Sequence, residues 1–136
     1  MNTDTREKFF NALLRRPSTA KQARGILERQ RVSDEDAERL IREAEDLGLI
    51  DDEAFARLFV DGHLSWGNLK IAHELSVRGV PREAISTALD EAQDESERVR
   101  ELVGSWRKGG VEDRKITARL MSRGFTSRAV REALRD

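Results

Sequence analysis

The chain has 136 residues, of which 38% are hydrophobic and 38% charged, and its formal net charge is −1. It holds no cysteine, which excludes disulfides and thiolate metal sites, and its near-neutral charge argues against a dedicated DNA binder. No apolar run approaches the roughly 20 residues needed to cross a bilayer, and MNTDTREKFF has no apolar core of a signal peptide, so a soluble, cytoplasmic protein is expected.

Ala, Leu, Arg and Glu dominate, and β-branched and aromatic residues are sparse, so helix is favoured throughout. Phe9, Phe10, Leu13 and Leu14 give the first apolar stripe at helical spacing. Pro17 stops that helix, and Ser18 is placed to cap the next. The second helix runs through Ala23, Ile26 and Leu27, with Val32 after it. Ser33 with Asp36 resembles a capping box. A third helix then carries Ala37, Leu40, Ile41, Ala44 and Leu47, and Gly48 is its left-handed stop.

Asp51 or Asp52 caps a fourth helix, whose stripe is read as Phe55, Leu58, Phe59 and Leu64. Trp66-Gly67 marks a break. The next helix presents Ile71 and Leu75 inward and stops at Gly79, and Pro81 suits the first turn of the helix that carries Ile85 and Leu89. From Asp94, with Glu97 three residues on, a seventh helix carries Val99, Leu102, Val103 and Trp106. Gly109-Gly110 breaks the chain. An eighth helix ends at Gly124, and Thr126 caps the ninth.

One stretch occurs twice. Lys70–Leu89 (KIAHELSVRGVPREAISTAL) and Lys115–Leu134 (KITARLMSRGFTSRAVREAL) align without a gap at an offset of 45 residues, with 8 of 20 positions identical. A period of this size marks a stacked helical array. The shared turn, R-G-apolar, combines a Gly that adopts positive φ with an apolar plug between two helices. The first unit has Arg31-Val32 at this point, so it keeps the plug without the Gly, and its helix is expected to end differently. The expected fold is all-α: an elongated, curved array of three tandem three-helix repeats, about nine short helices, with units 1–48, 49–93 and 94–136.

No catalytic pattern is present: no G-x-x-x-x-G-K, no G-x-G-x-x-G and no G-x-S-x-G. His63 and His73 lack the further ligands that a zinc site needs. Asp51-Asp52-Glu53 suits a helix N-terminus better than a cation site. No enzyme, cofactor or metal is expected. The aromatic residues sit mostly on apolar stripes, which favours core over base stacking. Trp66, beside a break, is the one expected to be partly exposed at a partner surface.

Charge is uneven. Residues 1–50 carry 10 basic and 10 acidic groups, residues 51–93 carry 4 and 8, and residues 94–136 carry 11 and 8. Lys115, Arg119 and Arg123 fall on one helix face, and Arg128, Arg131 and Arg135 form a second run. Their counterparts in the second unit are Lys70, Glu74 and Arg78, with the middle charge reversed. Such stripes are either solvated faces or a patch for phosphate or an acidic protein surface. Arg15-Arg16 is a weaker candidate, because cations at a helix C-terminus are stabilising in their own right.

With these features placed, the chain resembles the RecX family of bacterial recombination regulators. The likeness is carried by ALLRRPS (Ala12–Ser18), LGLIDDEAFARLFV (Leu47–Val60), Gly67–Leu89 and LMSRGFTSRAVREAL (Leu120–Leu134). It covers the chain from about residue 9 onward. The departures are the missing Gly before Val32, and Gln22 and Lys21 where the family more often places Leu and Glu. The resemblance implies a non-enzymatic, monomeric regulator that binds in the groove of the RecA filament on single-stranded DNA. It would damp ATP hydrolysis, strand exchange and the co-protease activity behind the SOS response. Lys70, Arg78, Lys115, Arg119, Arg123, Arg128, Arg131 and Arg135 are then candidates for contact with RecA or DNA. The alternative is a helical module that binds DNA directly without RecA. A tetratricopeptide-like scaffold ranks last, since its period and W-x-x-L-G pattern are absent.

Overall fold

Residues 2–135 are described by a computed structural model. Among them lie nine helices: α1 Thr3–Arg15, α2 Ala20–Arg29, α3 Asp34–Asp46, α4 Asp52–Asp61, α5 Asn68–Val77, α6 Arg82–Glu91, α7 Glu95–Lys108, α8 Asp113–Ser122 and α9 Ser127–Arg135. The only β-type pairing among these residues is an isolated parallel bridge, Ser18 to Ile50. No helix is long and apolar enough to cross a membrane.

Short helices of this kind are marginal alone and are held by their buried stripes. Three separate apolar cores result. Phe9, Leu13, Leu27 and Leu40 centre the first, which also takes in Leu49 and Ile50. Val60, Ile71, Leu75 and Val80 centre the second. Val99, Ile116, Leu120 and Phe125 centre the third. The closely packed helix pairs fall within α1–α3, α4–α6 or α7–α9. The array is therefore three cores in series, as the two copies of the repeat imply.

Several side chains depart from the sequence reading. Leu14, Leu47 and Leu58 are 68%, 63% and 64% exposed. In α4 the inward positions are Ala56 and Val60, with Phe55 and Phe59 only partly buried, so the stripe is rotated by about one residue. Ser18 does not cap α2. Thr19 does, accepting from Gln22 N–H while the Gln22 side chain accepts from Thr19 N–H. Gln22 is thus the reciprocal partner of a full capping box. Asp51 caps α4 through Ala54 N–H at 3.0 Å, whereas the Asp94 side chain makes no such bond to α7.

The first unit ends its second helix as the others do. Arg31 holds φ +58°, against +91° at Gly79 and +86° at Gly124. Val32, Val80 and Phe125 each donate N–H to the carbonyl five residues back, at 3.0, 3.0 and 3.1 Å, the bond that closes a Schellman turn. The expected different ending is therefore corrected: a non-glycine residue holds the same left-handed conformation.

The reason lies at the joints between units. A Cβ on Gly124 would run into Lys70, including its backbone nitrogen, and a Cβ on Gly79 would run into the Lys21 side chain. The preceding unit docks on each of these turns. Arg31 is exposed, and no unit among the described residues docks on it, so a side chain is tolerated there.

Both joints share one plan. Thr19 Oγ1 donates to Arg78 O at 2.6 Å in the first, and Gly67 N–H donates to Arg123 O at 2.7 Å in the second. An acidic residue from the following unit caps the docking helix each time: Asp52 accepts from Ala20 N–H at 2.9 Å and Glu95 from Asn68 N–H at 2.6 Å. The joints differ one position deeper. Arg98, 3% exposed, fills the second joint, donating to Leu64 O at 3.0 Å, Trp66 O at 2.6 Å, Gln93 O at 3.0 Å and the Asn68 side chain. Burial pulls its pKa below the usual arginine value against the opposing pull of Glu95 and Asp94. Phe55 stands at the matching place in α4, where it lines an apolar groove of about 260 Å³ with Leu14, Pro17 and Leu58.

Candidate nucleoprotein interface

The second helices of the second and third units, α5 and α8, carry the basic residues that the structure gathers around aromatic rings. In the second unit Phe55, Phe59, His63 and Trp66 form a run of neighbouring rings. The centroid distances are 6.4 Å (Phe55–Phe59), 4.1 Å (Phe59–His63) and 4.2 Å (His63–Trp66). Phe55 and Phe59 stand four apart on one face of α4, and the turn that follows brings in His63 and Trp66. His63 Nδ1 lies 2.6 Å from Phe59 O, which makes Nδ1 the protonated nitrogen and fixes the ring.

Cations cover two of these rings. Arg78 lies over Phe59 at 4.9 Å and Lys70 over Trp66 at 4.2 Å. In the third unit Arg119 and Arg123 both lie over Trp106, at 5.4 and 5.1 Å. A cation at this distance from a ring face is attracted by the ring quadrupole. Lys70 also packs against Gly124, next to Arg123. The two clusters therefore meet at the joint between the second and third units.

Of the eight basic candidates, Lys70, Arg78, Arg119 and Arg123 belong to this arrangement. Lys115 is exposed on α8 and makes no ion pair among the described residues. Arg128 pairs with Glu132 on α9 at 3.1 Å, and Arg131 and Arg135 are exposed on that helix. Among the described residues, the cations over Trp106 are Arg119 and Arg123 and come from the α8 side, not from α9. Trp66 lies under Lys70 and is partly exposed, which matches its expected exposure, and Phe55, Phe59 and Trp106 are partly buried to a similar degree.

Sequence reasoning did not pick out Phe59, His63 and Trp106 as ring platforms, because the partner cation comes from a different helix. It also passed over Arg98. Its one signal was an arginine placed directly before Val99 on a buried stripe. Among the described residues, no group of three or more His, Cys, Asp or Glu side chains converges to hold a metal. Nothing in the arrangement activates a nucleophile. What it offers is cationic, partly apolar contact area.

A family profile described as RecX, second three-helix domain, matches residues 51–89. The Regulatory protein RecX of Prosthecochloris aestuarii is 31% identical over 143 residues, covering 98% of this chain and 95% of that protein. This chain belongs to the RecX family. The Regulatory protein RecX of Lactobacillus delbrueckii subsp. bulgaricus is 30% identical over 131 residues. That match covers 88% of the chain and 48% of the relative, so the chain spans about half the length of this RecX protein. The crystal structure of RecX from Lactobacillus salivarius superposes with a TM-score of 0.78 at 21% identity, covering 98% of this chain and 97% of that one. At that identity the likeness establishes a shared RecX fold.

Proposed function

We propose that this chain is a non-enzymatic, monomeric, cytoplasmic negative regulator of the bacterial recombinase RecA. It binds in the groove of the RecA filament on single-stranded DNA and inhibits ATP hydrolysis, strand exchange and co-protease activity. The observation that carries the reading is the match to a Regulatory protein RecX over nearly its whole length. The physical features are compatible with it. Three cores in series, from units we place at 1–48, 49–93 and 94–136 with Leu49 and Ile50 reaching back into the first core, would give a body long enough to span neighbouring protomers. At 1.5 Å per residue, α7 alone is about 20 Å long. Clamping two protomers would resist the subunit motion that accompanies nucleotide turnover.

Lys115, Arg119 and Arg123, with Lys70 and Arg78 across the joint, would face RecA or DNA. The test is a titration of the DNA-dependent ATPase of the cognate RecA. Wild-type protein should inhibit, and a folded Lys115→Glu/Arg119→Glu/Arg123→Glu variant should inhibit at least tenfold less. Inhibition far below one chain per protomer would indicate capping of filament ends, and inhibition near one per few protomers would indicate groove coating. No inhibition by the wild-type protein at any ratio would overturn the reading.

A further inference from the structure

An apolar groove and an acidic cleft meet at Gly48 and Asp51, which line both. The groove, of about 260 Å³, lies where the end of α1 faces α4. Leu14 and Leu58 line it, and they are the two most exposed large hydrophobic side chains among the described residues. A single exposed leucine is ordinary. Two on one groove, with Pro17 and Phe55 in the same lining, form an apolar patch of the kind that marks an interaction surface. In the second joint the chain's own Arg98 fills the matching place, whereas at the first joint Phe55 leaves it open.

The cleft, of about 470 Å³, lies between the end of α3 and the starts of α4 and α6. Glu45, Asp51, Asp52, Glu53 and Glu83 line it, with no lysine, arginine or histidine. Four of these acids have a local reason to be there. Asp51 and Asp52 cap α4 and α2, and Glu53 and Glu83 stand in the first turns of α4 and α6, where the helix dipole favours a carboxylate. Glu45 has no such reason. It stands in the last turn of α3, the end at which the dipole disfavours a negative charge, and that turn holds no basic residue. Neither Glu45 nor Glu83 pairs with a cation among the described residues. Glu45 thus makes the cleft more negative at a cost to its own helix.

Each half narrows what the other would admit. The carboxylates repel nucleic acid, anionic lipid and acidic segments. They do not converge to hold a metal, and a small cation alone would leave the leucines uncovered. The groove is smaller than the roughly 300–1,000 Å³ of a typical small-molecule site and suits an anchoring side chain of a protein. On an amphipathic helix, an apolar anchor and cations a turn away share a face.

We propose that the groove and the cleft together dock a basic amphipathic helix of a protein partner, its apolar anchor between Leu14 and Leu58 and its lysines or arginines against Glu45 and Glu83. None of the basic candidates for contact with RecA or DNA lines this surface, and the inference does not rest on the RecA reading.

The probe is a labelled amphipathic helical peptide of leucine and lysine, and anisotropy reads its binding to the whole chain alone. Wild-type protein should bind it, with an affinity that falls as salt rises. Leu14→Ser/Leu58→Ser and Glu45→Gln/Glu83→Gln change exposed side chains, so both variants should keep the wild-type circular dichroism. Each should weaken binding by about tenfold or more. Peptides with alanine for leucine, or with glutamate for lysine, should lose affinity by a similar factor. Amide spectra of the labelled protein should show the peptide shifting Gly48, Asp51 and Ala54. No binding to the wild type, wild-type affinity in either variant, equal binding of the glutamate peptide, or shifts confined to the third unit would each overturn the proposal. Self-association of the free protein that Leu14→Ser/Leu58→Ser abolishes would also overturn it, since the occupant would then be a second copy of the chain.

Discussion

The backbone N–H of Gly67 donates to the carbonyl oxygen of Arg123 at 2.7 Å. Neither residue presents a side chain to the other at this bond, and the contact joins two units through main chain alone. A Cβ on Gly67 would run into the Gly124 carbonyl. The two backbones meet directly at this point, and around it the joint is completed by Lys70, Glu95 and the buried Arg98.

Replacing the turn glycines should therefore act on the joints. Gly124→Ala combines an unfavourable positive φ with a clash against Lys70 backbone, and should cost about 2 kcal/mol or more. Gly79→Ala combines the same backbone conformation with a clash against Lys21 Cβ, which is fixed to the α2 backbone, and should cost a similar amount. Arg31→Gly removes the same backbone strain with no neighbour to offend, and should be neutral or stabilising by up to about 1 kcal/mol. Urea unfolding midpoints give the order. A loss at position 31 matching those at positions 79 and 124 would contradict the account.

Arg98→Met keeps the length of the side chain but leaves Leu64 O, Trp66 O and Gln93 O without their donor. Stranding buried acceptors makes this one of the more harmful single changes, at about 3 kcal/mol. Trp66 should report it by altered fluorescence, because its own carbonyl is one of the partners. Unchanged stability would mean that water replaces the guanidinium.

Much of this was legible in advance. The 45-residue offset announced the array, and the glycine positions marked the turns. The joints were not legible, because Gly79 and Gly124 have two duties that look alike in sequence. Each permits a left-handed turn and each admits a neighbouring unit. Only Arg31, which keeps the first duty and is free of the second, separates them. The candidate interface was half-read for a similar reason. Arg119 and Arg123 stood out by their spacing along one helix and Lys70 by its place in the other copy, whereas the rings beneath them come from α7 and from the turn before α5.

Acid should loosen the first unit early. Arg6 holds Glu43 below its ordinary value of 4.5 by a direct hydrogen bond, and Arg24 does the same to Glu38. These pairs tie α1 and α2 to α3. A depressed carboxylate pKa contributes stability that is present above about pH 4.5 and is lost as pH falls through the lower folded value. The groups are exposed, so the effect should be modest and should shrink in 1 M salt. Glu43→Gln should flatten the pH dependence of the unfolding midpoint below pH 4.5. A profile as steep as that of the wild type would place the acid-sensitive group elsewhere.

Asp52 and Glu95 cap a helix that belongs to the preceding unit. Asp52→Ala should cost about 1 kcal/mol and should fray α2, two segments away, more than α4, whose own cap is Asp51. Hydrogen exchange at the first turn of α2 is the readout. Faster exchange confined to α4 would refute the cross-unit cap.

The turn at Arg31 also has a consequence for building longer proteins from this fold. A designer who wished to graft a further unit onto the amino-terminal face would find a surface matching the two internal ones in backbone shape, closed by one side chain. Changing that residue to glycine is the first edit such a graft requires. Supplying an acid at the start of α1, where Asp52 and Glu95 stand in the later units and Thr3 stands here, is the second.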